Sequence, residues 1–449
     1  MRVAIIGAGR VGLTTAMALD YLGHRVTCVD IDDRVVEGLR NRRLPFPDPI
    51  LEGLWGSTHI EVVSRLSPRS ASSDLVMVTV PTPSLPDGHA DISAVRAVVK
   101  ETAQVAPDGA DIVLAIKSTV PPGTTDDAQR LVDETLNSRK TTARIFVACN
   151  PEFLRQGSSL WDTLYPDRIV IGADGRPAAR LIELHDPIIR QRFSPPPGVP
   201  RPKGLSSVPV VVTRPVNAEL IKYASNAFLA TKLSFINEVA GLAEKVGADT
   251  TEVAKGVGLD KRIGPHYFQA GPGWGGPCLG KDTQALLALA ADQQQEMPLL
   301  TAARTVNARR REHIVARLEE ALGSFQGTTI GVLGLSFKAE TDDVSDSPAL
   351  DVAARLIQRG ARVRCYDPVA EPRTMRERPE LPVEYHDRVS ELIKQCDALL
   401  VMTEWAEFQH LPWPDLAKAM RGRTVLDARN FLDRQQLEEA GFTYMAIGR

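Results

Sequence analysis

Short apolar, β-branched runs alternate with helix-like stretches through the first 150 residues, and Arg2–Ile6, Val26–Ile31, Leu75–Val80, Ile112–Lys117 and Ile145–Ala148 each read as a strand. Runs of this kind separated by helical crossovers predict an α/β fold built on a parallel sheet. From Asn217 to Gly247 the pattern switches to one proline-free stretch rich in Ala, Leu, Glu and Lys. As a helix it reaches about 45 Å, longer than a small domain needs, and it is suited to linking domains or partners. Thr328–Leu335 opens a second strand-and-glycine series, and GHRVTCVDID at 23–32 is echoed by GARVRCYDPV at 360–369, so the chain reads as two related α/β halves. Between them Phe193–Lys203 carries five prolines and reads as an exposed loop or linker.

With 449 residues, two or three cores are expected. Lys and Arg total 53 against 56 Asp and Glu, so the broad cationic footprint of a nucleic-acid binder is absent and any anion site must be local. The longest apolar runs, such as Leu286–Ala291, fall far short of the ~20 residues that span a bilayer, so no membrane association is expected. The chain runs from Met1 straight into strand-like sequence. The five cysteines, at 28, 149, 278, 365 and 396, are an odd number without CxxC spacing. Reduced thiols in a cytoplasmic protein are the expectation, with no metal site.

Gly7-Ala8-Gly9-Arg10-Val11-Gly12 follows the first strand and opens an apolar helix ended by Gly23. The glycines permit a tight turn, close approach of backbone amides to a pyrophosphate, and contact between helix and strand, while the helix N-terminus stabilises negative charge. Asp30 ends the second strand, eighteen residues after Gly12, where a carboxylate accepts hydrogen bonds from a ribose diol and repels a 2′-phosphate. NAD is therefore expected rather than NADP.

Gly271–Asp282, GPGWGGPCLGKD, sets Cys278 in a glycine-rich turn before a helix beginning near Lys281-Asp282, surroundings that favour a thiolate. The other four cysteines lie in or beside apolar strand-like runs and read as buried small hydrophobes. Lys222 and Asn226 are i and i+4 on the long helix, on one face, where they address one ligand or simply form a solvated face. Lys117–Gly123 and Asn150–Leu154 follow two strand ends, which in a parallel sheet face the ligand crevice. There Glu152 suits a general base and Thr119 a water-orienting group, although either residue taken singly also fits a cap or turn.

Taken together, GAGRVGL, VPTP at 80–83 with Asp87-Gly88, KSTVPPGTT, NPEFLRQGS followed by PDRIVIG, AELIKYASNAFLATKLSFINE, GLDKRIG, the cysteine motif and SFKAETDDVSDSPAL resemble the nucleotide-sugar dehydrogenase family of UDP-glucose/GDP-mannose dehydrogenases over nearly the whole chain. The resemblance implies two Rossmann-like domains with parallel sheets joined by a long central helix: an NAD-binding domain at 1–212, a central helical dimerisation or linker region at 213–315, and a nucleotide-sugar-binding domain at 316–449. It implies four-electron oxidation of a nucleotide sugar at C6 by two NAD⁺ in turn, with UDP-glucose as the expected substrate and GDP-mannose or another nucleotide hexose as the alternative. More distant alternatives are a two-electron hydroxyacid dehydrogenase, for which Cys278 is dispensable, and a nucleotide-sugar-binding protein without catalysis.

Carried over from that family, Cys278 forms the thiohemiacetal and thioester, Lys222 with Asn226 stabilises the oxyanion, Asp282 and Thr119 position water, and Glu152 is the base. Cofactor contacts are implied for Gly7, Gly9, Arg10, Val11, Gly12, Asp30, Pro81, Thr82, Thr119 and Lys281. Substrate contacts are implied for Glu152, Phe153, Leu154, Lys222, Asn226, Gly275, Lys281, Lys338, Arg429 and Arg262, the last from a neighbouring subunit of a homodimer. The sequence departs from the family pattern at Asp48 and Gln156, where glutamate is usual, at Pro277, where serine is common, and at Ser345, where arginine is usual.

Overall fold

The apolar runs near the N-terminus form β1 (Arg2–Ile6), β2 (Arg25–Val29), β3 (Glu61–Val63), β4 (Leu75–Val78), β5 (Asp111–Ile116), β6 (Arg144–Cys149), β7 (Ile169–Gly172) and β8 (Val210–Thr213) in a computed structural model that describes residues 1–449. They make one sheet in the order β3-β2-β1-β4-β5-β6-β7-β8. Every pairing is parallel except β6–β7, where Cys149 faces Gly172 in antiparallel sense. The central strands are apolar on both faces because helices cover both; β4, LVMV, is buried throughout.

Five of the strands correspond to the runs expected from sequence, β1 with the same ends and the others with ends within two residues. The sequence reading did not anticipate β3, β7 and β8, which are only three or four residues long, β3 and β8 lying at the two edges of the sheet. Register decides what this sheet presents. Ile6 pairs with Val29 and Val78, Val78 with Ile116, and Ile116 with Cys149, so the strands stop in one row. The next residues, Gly7, Asp30, Thr79, Lys117 and Asn150, line the carboxyl edge, and the strand order reverses between β1 and β4, the place where such sheets bind ligands.

The proline-rich segment is a loop with most of its residues exposed, as expected, but it lies inside the first packed unit and is no linker. Pro196 and Val199 are buried, and three aromatic side chains fix its backbone: Tyr21 Oη donates to Ser194 O, Tyr165 Oη to Val199 O and Trp161 Nε1 to Pro200 O. Proline-rich backbone has carbonyls but few N–H groups, and hydroxyl and indole donors satisfy them here. The segment is a fixed flank of its unit.

The chain packs as two units, Met1–Ser225 and Asn226–Arg449. The long helix, Pro215–Val246, begins in the first and continues into the second. Its first turn lies tight against β7: a Cβ on Gly172 would sit 2.7 Å from Ala218 Cβ, so only glycine permits the approach. The second unit holds β9 (Thr329–Leu333), β10 (Arg362–Tyr366), β11 (Glu384–Tyr385), β12 (Ala398–Val401), β13 (Thr424–Asp427) and β14 (Thr443–Ala446), all parallel, in the order β11-β10-β9-β12-β13-β14. That order repeats the first six strands of the other sheet, and the echoed segments become β2 and β10, each paired to the first strand of its own sheet. No helix is long and apolar enough to cross a membrane.

Candidate active site

In the first unit the glycine turn forms as expected, and each glycine has its own reason. Gly7 adopts φ +106°, and a Cβ there would lie 3.0 Å from the Thr79 carbonyl. A Cβ on Gly12 would meet Gly7 O at 1.8 Å. Gly9, by contrast, has nothing within 4 Å of its Cβ position and is the N-cap of the helix Arg10–Tyr21, so it faces open space at a helix N-terminus. The turn thus offers the open, amide-lined cradle a pyrophosphate requires. Asp30 follows β2; its Oδ2 accepts from Ala8 N at 2.7 Å and its Oδ1 from Asp32 N at 2.9 Å, leaving each oxygen a lone pair for a ribose hydroxyl. Arg10 lies 4.5 Å from the Phe46 ring centroid, and Val11 is half-buried beside it. Pro81 is exposed after β4, and Thr82 Oγ1 donates to Thr119 O at 2.9 Å, which joins two of the implied cofactor contacts.

Beyond β6 the structure brings together Glu152, Phe153, Leu154 and Lys222. Glu152 Oε1 accepts from Lys222 Nζ at 3.0 Å and Oε2 accepts from Leu154 N at 2.5 Å, with both charged groups more than nine-tenths buried. Burial alone pushes the Glu152 carboxyl up. The Lys222 charge, the Leu154 N–H, the Lys222 hydrogen bond and the Lys117 charge together outweigh it and hold the group below its ordinary range. The Phe153 ring carries Arg168 on one contact, 3.7 Å from its centroid, and Lys222 Nζ at 5.3 Å.

In the second unit Cys278 is exposed and is the N-cap of the helix Leu279–Asp292, two residues earlier than the start expected from sequence. The remaining cysteines are buried, and burial pushes their thiols up, Cys28 to about 12 and Cys396 to about 11. The loop before Cys278 is clamped from two helices. Asn307 accepts from Trp274 N at 2.7 Å and donates to Trp274 O at 3.0 Å; Asn237 accepts from Gly271 N at 2.8 Å; Trp274 Nε1 donates to Ser234 Oγ at 3.1 Å. Gly275 tolerates no side chain, since a Cβ would meet Asp346 O at 2.2 Å. Asp282, one turn into the helix and 1% exposed, accepts from Asn226 Nδ2 at 2.6 Å and from Lys281 Nζ at 2.6 Å. Arg429 donates to Phe337 O at 2.8 Å and to Met402 O at 2.7 Å, which places it beside the loop that carries Lys338. Arg262 stands apart on an exposed turn, paired with Asp260.

The acid that follows β10, Asp367, is the counterpart of Asp30 but is already engaged. Its Oδ2 takes bonds from Leu335 N, Ser336 N, Ser336 Oγ and Trp405 Nε1, and its Oδ1 from Val369 N and Ala370 N. The echo of the dinucleotide motif survives as a strand and turn, while its ribose-binding carboxylate has become a structural anchor.

Models of the UDP-glucose/GDP-mannose dehydrogenase family match in three consecutive pieces: the NAD binding domain at residues 1–189, the central domain at 216–309 and the UDP binding domain at 331–434. The chain belongs to the UDP-glucose/GDP-mannose dehydrogenase family. A UDP-glucose 6-dehydrogenase of Bacillus subtilis (strain 168) is 38% identical over 454 residues, covering 100% of this chain and 98% of that protein. One from Rhizobium meliloti (strain 1021) is 39% identical over 460 residues, covering 100% of both. Among solved structures, a UDP-glucose dehydrogenase from the hyperthermophilic archaeon Pyrobaculum islandicum superposes with a TM-score of 0.86 at 36% identity, over 99% of this chain and 96% of that one.

Membership of the UDP-glucose/GDP-mannose dehydrogenase family makes the chain an NAD-dependent oxidoreductase of Rossmann-like α/β architecture, as the glycine turn and Asp30 predict. One departure from the family pattern has a local explanation: Asp48 caps the helix Pro49–Trp55, accepting from Leu51 N at 3.1 Å, a geometry the shorter acid suits. Pro277 occupies a position whose neighbour Gly276 already donates its N–H to Ser345 O. Sequence reasoning missed the clamp residues Ser234, Asn237 and Asn307, for which spacing carries no signal. It also gave no role to Lys117, whose signal was available: a lysine directly after the apolar run Ile112–Ile116 is buried at a sheet end.

Proposed function

We propose that the chain is a UDP-glucose 6-dehydrogenase that oxidises the C6 alcohol of UDP-glucose by four electrons to UDP-glucuronate and holds the half-oxidised sugar on Cys278. The observation that carries this reading is Cys278 itself: the exposed cysteine, on a clamped loop, at a helix N-terminus whose amides stabilise negative charge, one turn before a buried Asp282. The relatives' names supply the sugar nucleotide.

Gly7–Gly12 and Asp30, with Pro81, Thr82, Thr119 and Lys281, would hold NAD⁺, which would supply the hydride acceptor for each oxidation. The Cys278 thiolate adds to the aldehyde formed first, giving a thiohemiacetal whose oxygen receives hydrogen bonds from Lys222 and Asn226. Loss of the second hydride leaves a thioester. Glu152 then takes a proton from a water positioned by Thr119 and Asp282 as that water's oxygen attacks the thioester, and the thiolate departs with the acid released. Phe153, Leu154, Gly275, Lys338 and Arg429 frame the nucleotide sugar.

The test is stoichiometry with a mutation. Two NADH per uronate are expected from UDP-glucose in a panel with GDP- and dTDP-hexoses, and Cys278→Ala abolishes uronate formation while NAD⁺ binding persists. Near-normal turnover of Cys278→Ala removes the covalent mechanism.

The same reading assigns residues 1–212 to the cofactor, 213–315 to the centre and 316–449 to the uridine diphosphate. It takes the protein as a homodimer. Phe228, Phe235 and Leu242 recur at every seventh position of the long helix and are 65%, 54% and 61% exposed, an apolar stripe that a second copy would cover and from which Arg262 could reach a neighbouring site. Five unbridged thiols accord with a cytoplasmic setting.

A further inference from the structure

One buried titratable group near Glu152 takes no part in the mechanism above. Lys117 directly follows β5, and Asn150, directly after β6, donates its N–H to Ile116 O at 2.9 Å, so the two residues stand side by side at adjoining strand ends with Glu152 two positions further. Lys117 is 8% exposed. It shares a cavity of about 50 Å³ with Asn150, Glu152, Asp162, Arg168 and His185.

Charge in this cluster does not balance. Asp162 is held by Arg155 through Nη2 at 2.6 Å and by its N–H at 2.7 Å. Arg168 lies on the Phe153 ring and donates to Ser225 Oγ. His185 is neutral, because burial, then Lys117 and His24, lower its imidazole to about 3. Its tautomer follows from Asn150: Nδ2 donates to Val170 O at 2.9 Å, so Oδ1 accepts from His185 Nε2 at 3.2 Å, and the buried Nδ1 keeps a lone pair without a donor. Cys149, the last residue of β6, is a thiol pushed up chiefly by burial. What remains is one carboxylate, Glu152, facing two ammonium groups. Lys222 and the Leu154 N–H each bond one of its oxygens, and Lys117 acts on it through charge.

We propose that Lys117 is a positioning residue, a second ammonium sharing Glu152 with Lys222, which keeps Glu152 a carboxylate when Lys222 binds the substrate oxyanion. The inference rests on the mechanism proposed above, in which Lys222 serves the sugar oxygen and Glu152 serves water. Lys222 has three donors and can bond both, but an oxyanion on Lys222 cancels its positive charge, and a carboxylate more than nine-tenths buried whose only bonded cation is neutralised in this way is driven to take up a proton and cease to be a base. Lys117 supplies the replacement charge without moving. Burial, opposed by Glu152 and helped by Lys222, lowers Lys117 to about 8, so it is cationic at neutral pH. The cavity is large enough for water, and the buried His185 Nδ1 in its wall is an acceptor without a donor.

The test compares wild type, Glu152→Gln, Lys117→Met, Lys117→Gln and Lys117→Arg by two readouts: the pH profile of kcat with UDP-glucose and NAD⁺, and an infrared titration of ¹³C-glutamate-labelled protein in which Glu152→Gln identifies the Glu152 band. Lys117→Met and Lys117→Gln are expected to move the acid limb and the band upward by about one pH unit, with KM for both substrates within about twofold, whereas Lys117→Arg leaves both in place. Two neutral variants are used so that poor folding of one does not decide the matter. A fall in kcat that is equal at every pH, with the Glu152 band unmoved, overturns the inference. An acid limb that survives in Glu152→Gln overturns instead the assignment of Glu152 as the base, and the infrared band then judges Lys117 by itself.

Discussion

Two alanine substitutions in the dinucleotide turn separate what the fold needs from what the cofactor needs. A Cβ on Gly12 would stand 1.8 Å from Gly7 O and 2.7 Å from Thr79 Oγ1. Relief requires the first helix to move off β1 by more than an ångström, an overpacking cost of about 1–3 kcal/mol or more. For a unit of this size that lowers Tm by roughly 3–10 °C. Gly9 differs on both counts. Its φ of −73° suits any residue, and its Cβ position has nothing within 4 Å. Gly9→Ala trades a small N-cap loss against a similar gain from a stiffer unfolded chain, each about half a kcal/mol, so Tm stays within about 2 °C. The added methyl does, however, occupy the space through which a pyrophosphate reaches the helix amides, and NAD⁺ affinity falls at least about tenfold, or ~1.4 kcal/mol. Thermal melts without cofactor and calorimetric titration with NAD⁺ read the two effects separately. Wild-type NAD⁺ affinity in Gly9→Ala, or melting as low as that of Gly12→Ala, would refute the division of roles.

Other expectations concern the second unit. Glu244 accepts from His313 at 2.8 Å, Arg317 at 2.8 Å and Gly448 N at 2.7 Å; burial pushes it up, but these partners outweigh burial and carry it from 4.5 to about 2. Because the folded-state value is depressed, its stabilisation, at most about 3 kcal/mol, is present above pH ~4.5 and is lost as pH falls toward ~2. Denaturant midpoints across that window should flatten in Glu244→Gln, and an unchanged acid loss contradicts the account. Asn307→Ala removes both bonds to Trp274, about 2–4 kcal/mol of loop ordering; kcat should drop about tenfold or more with NAD⁺ affinity unaltered, and equal loss of both would point to general unfolding. Phe235→Glu places a charge in the apolar stripe of the long helix and should yield monomers by light scattering; persistence of dimers would exclude that stripe as the interface.

What the sequence discloses is set by the range of the interaction that makes each feature. Strands buried on both faces announce themselves as apolar runs, and the Gly7–Gly12 turn with Asp30 is local enough to read directly. β3 and β8 are short edge strands whose exposed positions erase the pattern. The fixing of the proline-rich segment depends on hydroxyl and indole donors from Tyr21, Trp161 and Tyr165, which no window around 193–203 contains.

The candidate site shows the same limit more sharply. Lys222 and Asn226, one helical turn apart, are the visible pair, yet the spacing says nothing of their partners: Glu152 lies 70 positions from Lys222, and Asp282 lies 56 from Asn226. A buried lysine or amide must find such a partner or lose its charge or its place, so each is a demand that only tertiary structure can meet. Lys117 is the instructive case because its demand is only partly met: the carboxylate whose charge it shares is bonded to Lys222 and to the Leu154 N–H. A buried cation beyond the count of its carboxylates costs desolvation, and in the reading proposed here the charge that offsets it is the sugar oxyanion bound by Lys222.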